Sequence, residues 1–173
     1  MDRCTPRYLL VKLALLIAVV LVVGLTGCDF ITGVSPGEGF AIYLTRDNIP
    51  IRDMSVLSHV DIADTPVIGP DDIVAYYWYT HEIVLTPQAF ARITDIKVPM
   101  AGKSFVVCVD RRTVYWGAFW SMASSVWLPR PAVIYVDPVM GDGHYLQIAS
   151  SSPADPRSDP VIRATLEAAG KLK

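Results

Sequence analysis

Cysteine is scarce in this sequence. Its 173 residues hold three, Cys4, Cys28 and Cys108, far below the density of a disulfide scaffold. Charge is scarce as well, at 18% of residues against about 25% in an average soluble domain. There is no basic excess: 15 Lys and Arg stand against 17 Asp and Glu, a formal net charge of −2. Such a chain has no field to collect nucleic acid, so no nucleic-acid partner is expected. Internal repeats and low-complexity tracts are missing, which excludes solenoid and collagen-like architectures. Signatures of chemistry are missing too. No G-x-S-x-G elbow, glycine-rich phosphate loop, zinc-type ligand spacing or outstanding carboxylate pair occurs. The sequence therefore names no catalytic residue, no metal ligand and no cofactor.

Apolar residues, in contrast, make up 52% of the chain, and mean hydropathy is +0.38. Much of that excess sits in one run, Leu13–Leu25, without a charge or a strong polar group. Arg3, Arg7 and Lys12 precede it, and Leu25-Thr26-Gly27-Cys28 closes it. A basic flank, an apolar core and small residues before a cut site are the three parts of an export signal. A membrane span needs about 20 apolar residues, and extending this run backwards would bury Lys12. Leu25, Thr26, Gly27 and Cys28 resemble the lipobox of bacterial lipoprotein signal peptides at all four positions. The resemblance implies cleavage between Gly27 and Cys28 and lipidation of the Cys28 thiol, giving a membrane-anchored protein on the extracytoplasmic side. Asp29 resembles the signal that holds such proteins in the inner membrane of diderm bacteria.

A diacylglyceryl group supplies two acyl chains at about 0.8 kcal/mol per buried methylene, enough for stable attachment without a span. Cleavage removes three of the 15 basic residues and one of the 17 acids, leaving a net charge of −4. An acidic module gains nothing from anionic headgroups, so the acyl chains carry the anchoring. Cys108 remains as the one unmodified cysteine, which excludes a disulfide within the processed chain.

The expected organisation is a signal peptide over 1–27, a tether over 28–39 broken by Gly33, Pro36, Gly37 and Gly39, and one domain over 40–173. Alternating apolar patterns predict strands at 40–44, 73–77, 82–85, 104–109, 113–116, 132–136 and 144–149, with a weaker one at 56–62. Thr86-Pro87 and Asp159-Pro160 each pair a capping side chain with proline at the first helical position, predicting helices over 88–94 and 161–169. Strands and two short helices without regular alternation predict an α+β domain with a mostly antiparallel sheet, preceded by the hydrophobic signal helix.

Aromatics cluster at Tyr76–Tyr79 and at Tyr115, Trp116, Phe119 and Trp120. Most of these large rings are expected in the core, but successive strand residues point to opposite faces, so Tyr76–Tyr79 cannot all be core. Trp78, Trp116 and Trp120 are the candidate binding aromatics, their rings suiting a groove or a partner surface. His81-Glu82 reads as a solvated turn and Cys108, inside an apolar strand, as a buried inert thiol. The segment Ile83-Val84-Leu85-Thr86, Phe90, Gly102-Lys103, Phe105 to Val109 and Asp110 is similar to the extracytoplasmic head of the Sec translocase accessory subunit, which implies an α+β module. The reading is a lipid-anchored binding or interaction domain. An accessory subunit with an envelope protein partner and a membrane-surface hydrolase are its alternatives.

Overall fold

The computed structural model describes residues 37–55, 59–124, 132–135 and 143–173. The signal segment, Gly27, Cys28 and most of the tether lie outside the described residues. So does part of the weak strand expected at 56–62.

Alternation of inward and outward side chains builds seven strands: β1 (Phe40–Leu44), β2 (Ile73–Tyr77), β3 (Glu82–Leu85), β4 (Lys103–Val109), β5 (Arg112–Trp120), β6 (Val133–Tyr135) and β7 (Tyr145–Ala149). They form one sheet in the order β1-β4-β5-β6-β7-β3-β2. Five neighbouring pairs are antiparallel, and only β5 and β6 run parallel. The domain is therefore a mixture of α and β with a mostly antiparallel sheet.

The sheet curls. Phe40 on β1 packs edge-on against Tyr76 on β2, 5.8 Å between ring centres, although these strands are at opposite ends of the order. Its inner face holds the main core, including Ile42, Phe105, Val107, Phe119, Ile134 and Ile148. Two helices close over it. α2 (Pro87–Thr94) inserts Ala89 and Ile93, and α3 (Pro160–Ala168) inserts Ile162 and Leu166. Both begin as the sequence predicts, with Thr86 accepting from Ala89 N–H and Asp159 accepting from Val161 N–H. Gly170, at φ +67°, ends α3 in the left-handed region that glycine enters without cost.

A third helix, α1 (Ile51–Met54), was not expected from the sequence. It is one turn, starts after Pro50 and has no capping side chain, so no local signal announces it. It covers the outer face of β4 and β5, where Ile51 meets Ala118 and Trp120, and Met54 meets Val106 and Cys108. Of the expected strand at 56–62, the described residues form one isolated bridge, Thr45 to Ile62. Gly102 holds φ +77° beneath this helix, and a Cβ there would come within 2.5 Å of both Ile51 and Trp120.

Both sheet edges are closed by chain outside the strands. Along β1, Ile42 N–H donates to Ile68 O at 2.8 Å, and Ala63 N–H donates to Leu44 O at 2.9 Å. Along β2, Tyr76 N–H donates to Lys171 O at 2.8 Å, Trp78 N–H to Lys173 O at 3.1 Å, and Lys173 N–H to Tyr76 O at 2.9 Å. Lys171 Nζ adds a bond to Ile73 O at 2.7 Å. An uncovered edge would be a template for pairing with another chain.

The β4–β5 turn consists of Asp110 and Arg111, at φ +51° and +62°. Two left-handed residues make the primed turn that suits a twisted hairpin, without the usual glycine. Contacts to the start of the domain hold it. Asp110 Oδ1 accepts from Gly39 N–H at 2.8 Å, and Asp110 N–H donates to Gly39 O at 3.0 Å. The Tyr43 hydroxyl donates to Glu38, and the Arg111 guanidinium lies 5.1 Å over the Tyr43 ring and 3.6 Å from the Glu38 carboxylate.

Removing Lys171–Lys173 deletes three edge hydrogen bonds, the Lys171 contact and the packing of Leu172. At about 1 kcal/mol per net hydrogen bond, these four bonds alone are worth about 4 kcal/mol. Urea unfolding of the truncated chain should show a lower midpoint, and light scattering should show self-association through the exposed β2 edge.

Candidate functional site

The turn between β2 and β3 carries Trp78, Tyr79, Thr80 and His81. His81 N–H donates to Tyr77 O at 2.8 Å, and the backbone at His81 takes φ +54°. Histidine is one of the few side chains that tolerate this left-handed conformation. His81 O accepts from Ile148 N–H at 3.0 Å, and Gln147 Nε2 donates to Thr80 O at 3.2 Å, which fixes the turn against β7. The imidazole is thereby turned inward. His81 is 6% exposed, so the expectation of a solvated turn is corrected. Periodicity missed this because the rotation comes from the left-handed backbone.

Its Nδ1 lies 3.0 Å from the Tyr76 hydroxyl. On the other side, Nε2 lies 3.6 Å from Asp155 Oδ2, beyond hydrogen-bond reach. Asp155 is held by a two-pronged pair: Arg157 Nε reaches Oδ1 at 2.7 Å, and Nη2 reaches Oδ2 at 2.6 Å. Arg157 Nη1 donates to Ile148 O at 2.5 Å. All three guanidinium nitrogens are thus engaged inside the fold. Pro156–Ser158 forms a 3-10 turn that sets this geometry, with Arg157 N–H donating back to Asp155 Oδ1 at 3.1 Å.

The electrostatics follow. Burial pushes the His81 pKa down, and the nearby Arg157 adds to that, against a smaller opposing pull from Asp155. Hydrogen bonds from Arg157 hold the Asp155 carboxyl below its ordinary value. Burial raises the phenols of Tyr76 and Tyr115, so both stay protonated. Tyr76 can therefore donate to Nδ1, which leaves the ring proton on Nε2, facing the Asp155 carboxylate. The opposite tautomer would set a lone pair against an anion.

Above this group opens a cleft of about 570 Å³. The turn residues Trp78 to His81 form one wall, and Gln147, Asp155, Arg157 and Ser158 form the other. Tyr79 stands at the rim, 93% exposed. Trp78 is half-buried, with Arg163 5.8 Å over its ring and His81 edge-on at 5.8 Å.

The other candidate aromatics lie elsewhere. Trp120 is 4% exposed and belongs to the core beneath α1. Trp116 is half-buried on the outer face of β5, beside a second cleft of about 460 Å³ that Arg111 and Arg112 also line. Trp78 alone of the three reaches the His81 cleft. Glu82, Asp110 and Ser124, the polar residues whose convergence with His81 would mark a hydrolase, do not line it. Cys108 is fully buried and its thiol pKa is raised by burial, so the thiolate nucleophile is disfavoured. Among the described residues, no group of three or more His, Cys, Asp or Glu could hold a metal ion. Asp155 and Arg157 were invisible to sequence reasoning, because the Pro-rich stretch around them reads as a loop.

A buried neutral histidine has a signature. The unfolded chain protonates this residue near 6.5, the ordinary value for histidine, whereas the folded chain resists it. The unfolded state then binds more protons, so stability falls as pH drops below that value, down to the depressed folded pKa. The Asp155 contribution is present above 3.8, the ordinary value for aspartate, and is lost as pH falls through its lowered folded pKa. In His81→Asn, which tolerates positive φ, urea midpoints should vary less between pH 6.5 and 5 than in the unmodified protein. Tyr115 offers a second check. Its buried hydroxyl has no hydrogen-bond partner among the described residues, so Tyr115→Phe should be neutral or stabilising by up to about 1 kcal/mol.

No protein-family model, curated protein or solved structure matches this chain.

Proposed function

We propose that this chain is a bacterial lipoprotein whose domain binds a ligand or partner on the extracytoplasmic side of the cell membrane, with Cys28 as the lipid-bearing residue. One observation carries the reading: Leu25-Thr26-Gly27-Cys28 follows a basic flank and an apolar run of the length of a signal core. The hydrophobic stretch acts as a signal helix and leaves with cleavage at Gly27. The remaining chain is anchored by acyl chains. Two features suit this view. Among the described residues no helix is long and apolar enough to cross a membrane. Gly37–Lys173 clusters as one compact unit, which fits a module carried on a short leader-proximal tether.

The cleft beside His81 is the binding face in this reading. It combines an aromatic rim with a small set of fixed polar groups, the usual make-up of a site that orients a ligand. The hydrolase alternative has no such support, because Glu82, Asp110 and Ser124 do not line the cleft that holds His81.

A specific observation favours an envelope protein as a further partner. The outer face of β7, β3 and β2 exposes Tyr145 at 43%, Tyr77 at 45% and Val74 at 53%. α1 covers the outer face of β4 and β5, and no described element covers these three side chains in the same way. Apolar exposure of this kind marks interaction surfaces. A photocrosslinking residue at Tyr77 should capture a partner in intact cells, and failure at both Tyr77 and Tyr145 would remove this reading.

For the anchor, cells fed radioactive palmitate should label the protein, and Cys28→Ala should abolish the label and release the protein from the membrane fraction. Mass spectrometry should find the processed chain beginning at an acylated Cys28. An intact Met1 with an unmodified Cys28 thiol would overturn the proposal.

A further inference from the structure

The cleft beside His81 contains a donor and an acceptor held apart. His81 is more than nine-tenths buried, and its Nε2 faces Asp155 Oδ2 across 3.6 Å. That gap is too long for a direct hydrogen bond, yet both groups are fixed. Tyr76 holds the imidazole, and the paired Arg157 holds the carboxylate. An oxygen seated beside the pair on the cleft side, about 2.8 Å from each atom, reaches both, accepting from Nε2–H and donating to Oδ2. Only a group that is donor and acceptor at once satisfies both, and a hydroxyl is such a group. A carboxylate or phosphate oxygen would face Asp155 without a proton, and an ammonium would face a ring N–H with nothing to accept it.

Charge points the same way. Arg157 directs its nitrogens to Asp155 and Ile148 O, so its positive charge is spent inside the fold. Asp155 is neutralised by the same pair. Arg163 lies over Trp78 but is not part of the cleft lining. The cleft therefore offers hydrogen bonds without a net charge to attract an ion. The Tyr79 ring at the rim, 93% exposed, supplies a flat apolar surface with no packing role of its own. Hydroxyl groups on one edge and an apolar C–H face on the other are the two faces of a pyranose ring.

We infer that this cleft is a subsite for a neutral saccharide, with one sugar hydroxyl bridging His81 Nε2 and Asp155 Oδ2 and a sugar face resting on Tyr79. The inference deepens the binding reading above and is independent of the anchor: absent sugar binding by a chain acylated at Cys28 would remove the ligand and leave the anchor standing.

The test uses the full chain in a zwitterionic detergent that carries no sugar. Chitotetraose, cellotetraose and the anionic tetragalacturonate serve as probes, followed by saturation-transfer NMR and by tryptophan fluorescence. A neutral probe should bind at millimolar concentration or below, and tetragalacturonate should bind more weakly. Preference for chitotetraose over cellotetraose would identify an N-acetylated glycan as the source, and the reverse a plain one. Tyr79→Ala disturbs no packing and should weaken binding about five-fold through the lost ring contact. Asp155→Asn should weaken it about ten-fold through the lost charged acceptor. No saturable binding of either neutral probe would overturn the assignment. So would tighter binding of tetragalacturonate, or neutral binding that Tyr79→Ala leaves unchanged.

Discussion

An open sheet ends in two rows of backbone donors and acceptors, and each row needs a partner. In this domain that requirement organises everything else. The segment around Ile62–Ile68 satisfies the β1 edge, and the last three residues of the chain satisfy the β2 edge. With both edges closed by its own chain, the sheet can curl until Phe40 and Tyr76 meet across the core. The second closure also reaches the candidate site. Trp78 N–H is bonded to Lys173 O, so the tail that finishes the sheet also holds the first residue of the turn that carries His81.

The polar cluster in the cleft is stable because its charges cancel locally. Arg157 and Asp155 form a two-pronged pair, which places the strongest electrostatic contact between residues only two apart in sequence. His81 stays neutral next to it, since burial penalises the imidazolium and Arg157 repels it. The result is a rigid set of hydrogen-bonding groups that does not depend on solvent ions.

The strands and both capped helices were legible because their signals are local. Phe40–Leu44 is an apolar run of strand length buried on both faces, Glu82–Leu85 alternates as a half-buried strand must, and Thr86-Pro87 and Asp159-Pro160 announce helices within two residues. α1 was not legible, since a single turn held by Ile51 and Met54 depends on contacts with β4 and β5 instead of on its own sequence. The cleft was only half legible. The aromatic density at Tyr76–Tyr79 was visible, and Trp78 was singled out. The burial of His81 depends on a left-handed backbone, and its neighbours Asp155 and Arg157 come from more than 70 residues away. Sequence spacing carries neither fact. Trp120 was singled out for its ring, but its ring is used up in covering Gly102 and Ile51.

The clamp at the start of the domain has a mechanical consequence. If the chain is held at Cys28, any tug from the bilayer enters at Gly37–Gly39. There the load meets Asp110 and Arg111 first, then passes into β1, which is zipped to β4 over five residue pairs. The five cross-strand pairs with β4 then share whatever load reaches β1. β1 also touches the site, since Phe40 packs on Tyr76 and the Tyr76 hydroxyl holds the His81 imidazole, so the hairpin tip and β4 would have to take up such a load before it reached the cleft.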